Sequence, residues 1–336
     1  MTICTPRNAC HWKITGTNTF RLASSKLFTH GTNLQNPSPE ICEIYIPDDG
    51  YIFLQADQAG AEALIVAYLC EAGRFRSLFT NGIKVHVYVA MHFFASYWQI
   101  EVLAKYNASI DTYLRCDIDR LKTLQHWKEL ATAIKNHDRY YAIGKMICHA
   151  SNYGMTPKTL RVHVLERTDG KIALTKDESE YFLSTYHGLF PEIRQWHERV
   201  KAQLRESRIL YNLQRFPRRF TKAWGSDFER EAFSFVPQST VGTITNVAFE
   251  KMQDYIEDET LDWHLLNNKH DSYLMEVPNH THHIKFAGGK MKHFLEQDLV
   301  SPRSEPFRMK SELSVGMNWR KWHEKDNPQG LKEIEV

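Results

Sequence analysis

Two acidic residues, far apart in the chain, constrain its fold and chemistry more than any other feature. Asp57 follows the apolar run Tyr51-Ile-Phe-Leu and precedes a helical pattern at residues 61–69, which predicts a strand, a junction and a helix. Asp271 lies at a polar corner between two further apolar runs, which predicts a hairpin with this acid at the turn. If these strands are neighbours, the two carboxylates repel unless a proton or a divalent cation lies between them. The pair therefore predicts a magnesium site of the kind that supports phosphoryl and nucleotidyl transfer.

The segment around Asp57 has two interpretations. We expect residues 43–46 and 51–54 to form a hairpin around the turn at residues 48–50 and to deliver Asp57 at its end. Glu62, on the following helix, would point back toward the strand end. The simpler alternative is that Asp57 only caps this helix, which is common for Asp at a strand–helix junction.

The composition excludes several classes of protein. The chain has 336 residues, of which 42% are hydrophobic and 24% charged, and this indicates a globular protein rather than a disordered one. The six cysteines are scattered without a C-x-x-C pair, so we expect reduced thiols and no zinc or disulfide framework. We find no signal peptide and no apolar run of membrane length, so we expect a soluble, cytoplasmic protein without a membrane partner.

A helical stripe between residues 138 and 155 carries the next signal. Lys145, His149 and Tyr153 are spaced at i, i+4 and i+8, which places them on one helix face. Gly154 and Pro157 then stop the helix. A cation, an imidazole and a phenol in one stripe suit a triphosphate and a base. The alternative is an exposed amphipathic helix.

Basic residues are concentrated between Pro191 and Trp224, a segment that contains nine Lys and Arg but only three Glu. Such a stripe is typical either of a nucleic-acid backbone track or of a solvated helix face. Downstream, we expect a hairpin strand at residues 213–220, a helix whose first turns carry Gln238, and a final strand at residues 306–316. We expect the charged tail from Trp319 to fray.

The order of these motifs resembles the polymerase domain of family A DNA polymerases, the DNA polymerase I type, from about Thr15 to Trp319. Arg21-Leu-Ala-Ser-Ser and Asn33-Leu-Gln-Asn are similar to the primer–template motif, and residues 57–64 to motif A. Lys145 to Gly154 resembles motif B, Gln238 the glutamine before the palm helix, and His270-Asp271 motif C.

The resemblance implies an α+β, right-hand polymerase fold with an antiparallel palm sheet and helical fingers. It implies palm at residues 1–75 and 206–336 and fingers at residues 76–205, with an insertion around residues 93–135. It also implies an N-terminally short chain without an exonuclease domain or a complete thumb. We therefore expect a partner chain that supplies one or both, and a place in the nucleoid or a viral replication complex.

The resemblance also implies roles for individual residues. The catalytic residues would be Asp57, Asp271 and Lys145, with both aspartates binding two Mg²⁺ ions. The deoxynucleoside triphosphate would contact Lys145, His149, Tyr153, Glu62 and Arg139. Primer–template DNA would contact Arg21, Asn33, Gln35, Asn36, Arg230, Gln238 and His270.

The chain departs from the family pattern at several motif positions. Ala59 and Gly60 replace Ser and Gln in motif A, and Ser272 replaces Glu in motif C. In motif B, His149 replaces an aromatic residue and Tyr141 an arginine, so Arg139 is the nearest substitute.

Three functions are consistent with these residues. The first is a template-directed DNA polymerase core that extends a primer by two-metal nucleotidyl transfer. The second is a catalytically decayed nucleic-acid-binding subunit of a split polymerase, which the substitutions in motifs A and C favour. The third is a two-metal nuclease, which needs the same acids but no nucleotide-binding helix.

Overall fold

The computed structural model describes residues 10–14, 16–26, 32–58 and 60–336, so Cys4, Thr15 and Ala59 lie outside the described residues. The described chain divides into two compact units. Unit 1 comprises the residues up to Glu62, Tyr211–Arg218 and Phe235–Val336, and unit 2 comprises Ala63–Leu210 and Arg219–Ser234. The assignment of residues 1–75 and 206–336 to palm and 76–205 to fingers stays a prediction.

Unit 1 is built on a five-stranded antiparallel sheet. The described strands are β1 (His11–Lys13), β2 (Ala23–Ser25), β3 (Tyr51–Gln58), β4 (Ile209–Tyr211), β5 (Pro217–Arg219), β6 (His264–Lys269), β7 (Ser272–Pro278), β8 (Asp298–Val300), β9 (Pro306–Arg308), β10 (Ser311–Gly316) and β11 (Lys332–Ile334). The main sheet has the order β11-β10-β3-β7-β6, and the pairs β1–β2, β4–β5 and β8–β9 form small separate sheets. The strand that carries Asp57 is therefore at the centre of the main sheet.

Helices account for the rest of the described architecture. They are α1 (Pro39–Glu43), α2 (Ala61–Leu69), α3 (Arg74–Thr80), α4 (Val85–Phe93), α5 (Ala95–Trp98), α6 (Ile110–Leu114), α7 (Ile118–Leu121), α8 (Trp127–Lys135), α9 (Asp138–Asn152), α10 (Pro157–Arg167), α11 (Lys176–Leu189), α12 (Pro191–Ser207), α13 (Ser226–Asp258) and α14 (Thr281–Leu295). A π-helical turn at Gln99–Leu103 and a 3₁₀ turn at Ala104–Tyr106 follow α5. No helix in the described ranges has the length and apolarity to cross a bilayer.

The main sheet buries one face against two helices. Leu54 and Ala56 of β3, Tyr273 and Met275 of β7 and Leu313 of β10 pack with residues of α13 and α14 in one apolar cluster. Because side chains alternate along a strand, Phe53, Gln55 and Asp57 project from the opposite face. A smaller cluster on that opposite face contains Phe53, Leu274 and Trp319. We call this opposite side the open face of the sheet.

The predicted strand at residues 43–46 is wrong. Residues 39–43 form helix α1 instead, with Pro39 in its first turn and Ser38 at the N-cap. Proline at the start of a helix loses no hydrogen bond and has the required φ. The following residues lead to the turn before β3 without pairing as a strand, and Tyr45 accepts a hydrogen bond through its carbonyl from the backbone of Trp319 at 3.1 Å.

The tail and the long helix also differ from expectation. The tail from Trp319 does not fray, because Trp319 is buried and its indole donates to Gln55 Oε1 at 2.8 Å, while β11 pairs with β10. Helix α13 begins at Ser226, twelve residues before Gln238, and contains Pro237. The buried rings of Phe233 and Phe235 hold the turns beside Pro237, and this burial outweighs the hydrogen bond that proline cannot make. The strand expected at residues 213–220 is only β5, paired with β4.

Two adjacent glycines in α14 provide a test of the packing against the sheet. A Cβ atom at Gly288 would lie 2.3 Å from Leu313 Cδ2, whereas a Cβ atom at Gly289 would have no atom within 4 Å. We expect Gly288→Ala to lower the free energy of unfolding by about 1–3 kcal/mol, since it overpacks the core. Gly289→Ala should raise it by up to about 1 kcal/mol, since alanine is the better helix former. Urea unfolding of both variants checks this, and equal effects would contradict the packing of α14 on β10.

Candidate active site

The two predicted metal-binding acids are brought together at one end of the open face. Asp57 on β3 lies opposite Ser272 on β7, and the register places Asp271 next to that pair. The backbone N–H of Gln58 donates to the carbonyl of Asp271 at 3.0 Å, which fixes the two segments against each other. Asp57 lies within β3, and α2 begins only at Ala61, so the interpretation of Asp57 as a helix N-cap is wrong.

Glu312 is a third acid beside this pair, and the sequence patterns missed it. It is the direct partner of Asp57 on the other neighbouring strand, β10. Direct partners in an antiparallel pair project from the same face, with Cβ atoms about 4.5–5.5 Å apart. Glu312 is exposed on the open face. The alternation of residues 306–316 predicted a strand, but alternation does not reveal which strand it pairs with or in which register.

The residues at this end of the sheet suit a hard divalent cation. Asp57 and Asp271 are both half-buried, and they offer carboxylate oxygens from β3 and from the turn before its neighbour β7. Carboxylate oxygens are the protein ligands that Mg²⁺ prefers. The position of Glu in the related motif is filled by Ser272, whose hydroxyl donates to the carbonyl of Lys269 at 3.2 Å. This hydroxyl is directed at the turn, so the acid content of the site depends on Asp57, Asp271 and Glu312.

The turn that carries Asp271 is strained. Residues 270 and 271 alone connect β6 to β7, and His270 has a φ of 59°. A non-glycine residue in the left-handed region costs about 1–2 kcal/mol, and such strain is concentrated at functional sites. His270 Nε2 lies 3.4 Å from Asn36 Oδ1. Two residues predicted to contact DNA are therefore neighbours of the acid.

Arg21 and Glu62 form an ion pair, so a predicted DNA contact and a predicted nucleotide contact are joined. Both side chains are largely covered, with 15% and 23% of their surface exposed. A Cβ atom at Gly242 of α13 would lie 2.8 Å from Arg21 Cγ. Glycine at this position therefore leaves room for the arginine stem beside the helix.

Gln35 does not reach the surface. It is buried, and its amide donates to the carbonyl of Leu22 at 2.8 Å and accepts from the backbone of Ser24 at 3.0 Å. Asn33 contacts the Ser24 hydroxyl. These contacts hold the segment before α1 against β2, so Gln35 positions this segment rather than presenting its amide to solvent.

Helix α13 carries two further predicted DNA contacts. Gln238 is half-buried in the part of α13 that belongs to unit 1. Arg230 lies in the part that belongs to unit 2, where it pairs with Asp227. Gln238 was predicted in the first turns of this helix, but α13 begins earlier, at Ser226, so that Arg230 also lies within it.

In unit 2, helix α9 carries the predicted nucleotide stripe. Lys145 is exposed and His149 is half-buried. Tyr153 is only 4% exposed and lies just past the last residue of α9, with its ring 4.7 Å from that of His149 in an edge-to-face arrangement. Tyr153 is therefore part of the buried core, unlike Lys145 in the same stripe. Arg139 is exposed, and its charge contributes to lowering the pKa of Glu178, after the larger effect of the Thr175 hydrogen bonds.

A buried polar network holds the end of α9. The Tyr186 hydroxyl donates to Asn152 Oδ1 at 2.8 Å and lies 3.4 Å from the Cys148 thiol. His197 Nε2 lies 2.8 Å from the carbonyl of Asn152, and the His197 ring stacks on Phe233 at 3.9 Å. Burial raises the pKa of the Cys148 thiol to about 12, so this thiol is an inert part of the network.

Two histidines in unit 2 remain uncharged at neutral pH. Burial lowers the pKa of His86 to about 4, and the charges of Lys145 and Lys84 lower it further. Burial also lowers the pKa of His197 to about 4. His86 therefore adds no positive charge beside Lys145.

The low pKa of His197 predicts acid sensitivity. Between pH 6.5 and about 4 the unfolded chain binds a proton at this position and the folded chain does not, so stability falls as pH falls through this window. The slope is at most about 1.4 kcal/mol per pH unit. His197→Phe should lower stability at pH 7, because it loses the bond to Asn152, and should also flatten the slope. Urea unfolding from pH 4 to 7 measures this, with His282→Phe as the control at an exposed site; an unchanged slope in His197→Phe would contradict it.

Comparison with known proteins identifies related sequences. The model of the family described as DNA polymerase family A matches residues 115–321, a segment that includes Lys145 and Asp271 and begins after Asp57. DNA polymerase I of Caldicellulosiruptor bescii is 21% identical over 318 residues, which are 91% of this chain and 31% of that protein. The thermostable DNA polymerase I of Thermus filiformis is 22% identical over 314 residues, with the same coverage of 91% and 31%. The chain thus spans about a third of the length of these curated relatives.

A solved structure shows the same fold. It is the POL domain of Pol1 from M. smegmatis, in complex with DNA primer-template and dNTP, with a TM-score of 0.66 at 18% identity. The match covers 93% of this chain and 48% of that one. The predicted α+β polymerase fold is confirmed.

Proposed function

This chain belongs to DNA polymerase family A, and from that premise we propose that it is the catalytic core of a template-directed DNA polymerase. It would add deoxynucleotides to the 3′ end of a primer. The observation that supports this most is the placement of Asp57 on β3 and of Asp271 in the turn just before the neighbouring strand β7, joined by the bond from the Gln58 N–H to the Asp271 carbonyl. Family membership alone does not distinguish an active site from a decayed one, whereas a paired set of acids is what nucleotidyl transfer needs.

Asp57 and Asp271 would hold two Mg²⁺ ions through their carboxylates. When bound, the ions would lower the pKa of the primer 3′-hydroxyl and neutralise charge on the triphosphate. The β3–β7 ladder and the bond from the Gln58 N–H to the Asp271 carbonyl hold the backbones of the two aspartates next to each other. Motif C has Ser272 in place of the usual glutamate. Glu312, on the other side of Asp57, would add negative charge to the site.

The residues of α9 would serve the incoming nucleotide. Lys145 is exposed and would stabilise charge on the triphosphate and donate a proton to the leaving pyrophosphate. His149 would stack on the nascent pair, and Tyr153, which is buried against His149, would fix the orientation of that ring. Arg139 would add a second cation, and Glu62, held by Arg21, would line the sugar pocket.

The primer–template would contact the residues near the strained turn and on α13. His270 and Asn36 lie side by side there, and Gln238 and Arg230 lie on α13. Arg21 and Gln35 would support this surface from within, since their side chains bond to other parts of unit 1, and the exposed Asn33, which contacts the Ser24 hydroxyl, would lie on the surface itself. A partner chain that supplies a thumb or an exonuclease, and a place in a nucleoid or viral replication complex, stay predictions.

One gel assay separates the proposal from its two alternatives. A labelled primer on a template is incubated with the chain, Mg²⁺ and all four dNTPs. Elongation that disappears in Asp271→Asn supports the polymerase, and shortening of the primer identifies a two-metal nuclease instead. Retarded mobility of the primer–template with unchanged primer length identifies a nucleic-acid-binding subunit.

A further inference from the structure

A second cluster of ligand atoms lies at the opposite end of the open face. Among the described residues, the side chains of Asp48, His264 and Glu276 bring one ligand atom each to within 4.8 Å of the other two. Asp48 is in the turn before β3, His264 is the first residue of β6, and Glu276 is on β7. This is a histidine and two carboxylates from three separate segments of unit 1.

The cluster is distinct from the Asp57 site. Glu276 is the direct partner of Phe53, and Asp57 lies four residues further along the same strand. At about 3.3 Å per residue the two positions are about 13 Å apart. Phe53, Leu274 and Trp319 form the apolar cluster on this face, so apolar side chains separate the two groups of acids.

Glu276 has an unusual environment for a carboxylate. Its side chain is 3% exposed, and a buried carboxylate is stable only where it is paired with positive charge or bonded by donors. Glu276 Oε1 lies 2.9 Å from His264 Nδ1, and Oε2 accepts the backbone N–H of Asp48 at 3.0 Å. The Asp48 carboxylate brings a second negative charge to the same place.

His264 is held in the orientation that a metal ligand requires. It is the direct cross-strand partner of Glu276, its ring stacks on Tyr51 at 5.2 Å, and its Nε2 lies 3.6 Å from Asp262 Oδ1. Asp262 in turn accepts a hydrogen bond of 2.6 Å from the Tyr51 hydroxyl. Without a metal, Nδ1 donates its proton to the Glu276 carboxylate; an ion bound between Nδ1 and Glu276 would replace that proton, and the remaining ring proton would be on Nε2, on the side of Asp262.

We propose that Asp48, His264 and Glu276 form a structural binding site for a divalent transition-metal ion such as Zn²⁺. One imidazole nitrogen and two carboxylate oxygens are donors that zinc accepts at about 2.0–2.2 Å. The nitrogen disfavours Mg²⁺ and Ca²⁺, which prefer oxygen donors. Two carboxylates and a neutral imidazole balance the charge of one such ion. The site ties the turn before β3 to β6 and β7 and takes no part in chemistry, and it does not rest on the proposed polymerase function.

Zinc binding to the full chain tests this site. The chain, freed of metal with a chelator and carrying Asp57→Asn to disable the first site, is titrated with ZnCl₂ by calorimetry and heated with and without zinc. We expect one equivalent to bind and to raise the unfolding temperature, since an ion that binds only the folded state stabilises it. Asp48→Asn and His264→Gln should each weaken zinc binding about tenfold or more. MgCl₂ should give no comparable rise.

Controls keep the result interpretable. His282→Gln removes an exposed histidine from the neighbouring group at residues 280–283 and should leave zinc binding unchanged. Asp48→Asn is nearly isosteric and keeps its backbone N–H, so its unfolding temperature without metal should stay near that of the parent. The proposal is overturned if zinc does not bind, if binding survives both Asp48→Asn and His264→Gln, or if it is lost only in His282→Gln.

Discussion

Replacing Asp57 with Asn is expected to lower the rate of primer extension about 10³-fold or more while the chain stays folded. The carboxylate would hold the catalytic cations, which supply several kcal/mol of transition-state stabilisation, and each 1.36 kcal/mol is a factor of ten in rate. Asparagine keeps the shape of the side chain and its place in β3, between β7 and β10. Single-turnover extension of a labelled primer at saturating dNTP and Mg²⁺ measures the loss.

Asp49→Asn is the matched control for this prediction. Asp49 lies in the turn immediately before β3 and is exposed. The same replacement of Asp by Asn is therefore made in the same part of the chain but outside the Asp57 site. Extension by Asp49→Asn should equal that of the wild type, and primer–template binding by Asp57→Asn should persist. Extension by Asp57→Asn within about tenfold of the wild type would show that the acid pair is not the catalytic centre.

The second large effect is expected at Lys145. Lys145→Ala should reduce the maximal rate of nucleotide incorporation about 10²–10³-fold, because it removes a cation aimed at charge that develops on the triphosphate. Lys145→Arg keeps the charge but cannot give up a proton near neutral pH. An intermediate rate for Lys145→Arg would therefore assign part of the effect to proton donation, and a rate equal to that of the wild type would assign it all to charge.

Lys158→Ala provides the control for Lys145. Lys158 is exposed on the next helix, α10, and its loss should leave both the rate and the apparent dNTP affinity unchanged. Rapid-quench incorporation of one nucleotide over a range of dNTP concentrations separates the two quantities. A Lys145→Ala variant with a normal maximal rate and only weaker dNTP affinity would contradict a role in the transition state.

Local patterns predicted the elements that carry the acids. The apolar run before Asp57 and the helical pattern after it identified β3 and α2, and the polar corner at Asp271 identified the β6–β7 turn. The helix that carries Lys145 and His149, α9, was also evident from spacing alone. These features depend on contacts within one element, which the spacing of residues reveals.

Features that depend on distant contacts could not be predicted. Glu312 lies opposite Asp57 because of the register in which β10 pairs with β3. The alternation of apolar and polar residues predicts which side chains share a face of a strand, but it does not predict which strand is the partner. The packed tail depends on Gln55, whose side-chain oxygen accepts a hydrogen bond from the Trp319 indole. The Asp48, His264 and Glu276 cluster likewise joins three segments whose sequences carry no shared pattern.

Copying of a template is the activity that we propose for this chain. The most direct measurement presents the purified chain with Mg²⁺ and one labelled primer on four templates that differ only in the first unpaired base, with one dNTP at a time. The account predicts that each template directs addition of its complementary nucleotide in strong preference to the other three. Addition that ignores the template base, or stable binding of the primer–template with no addition from any of the sixteen combinations, would contradict it.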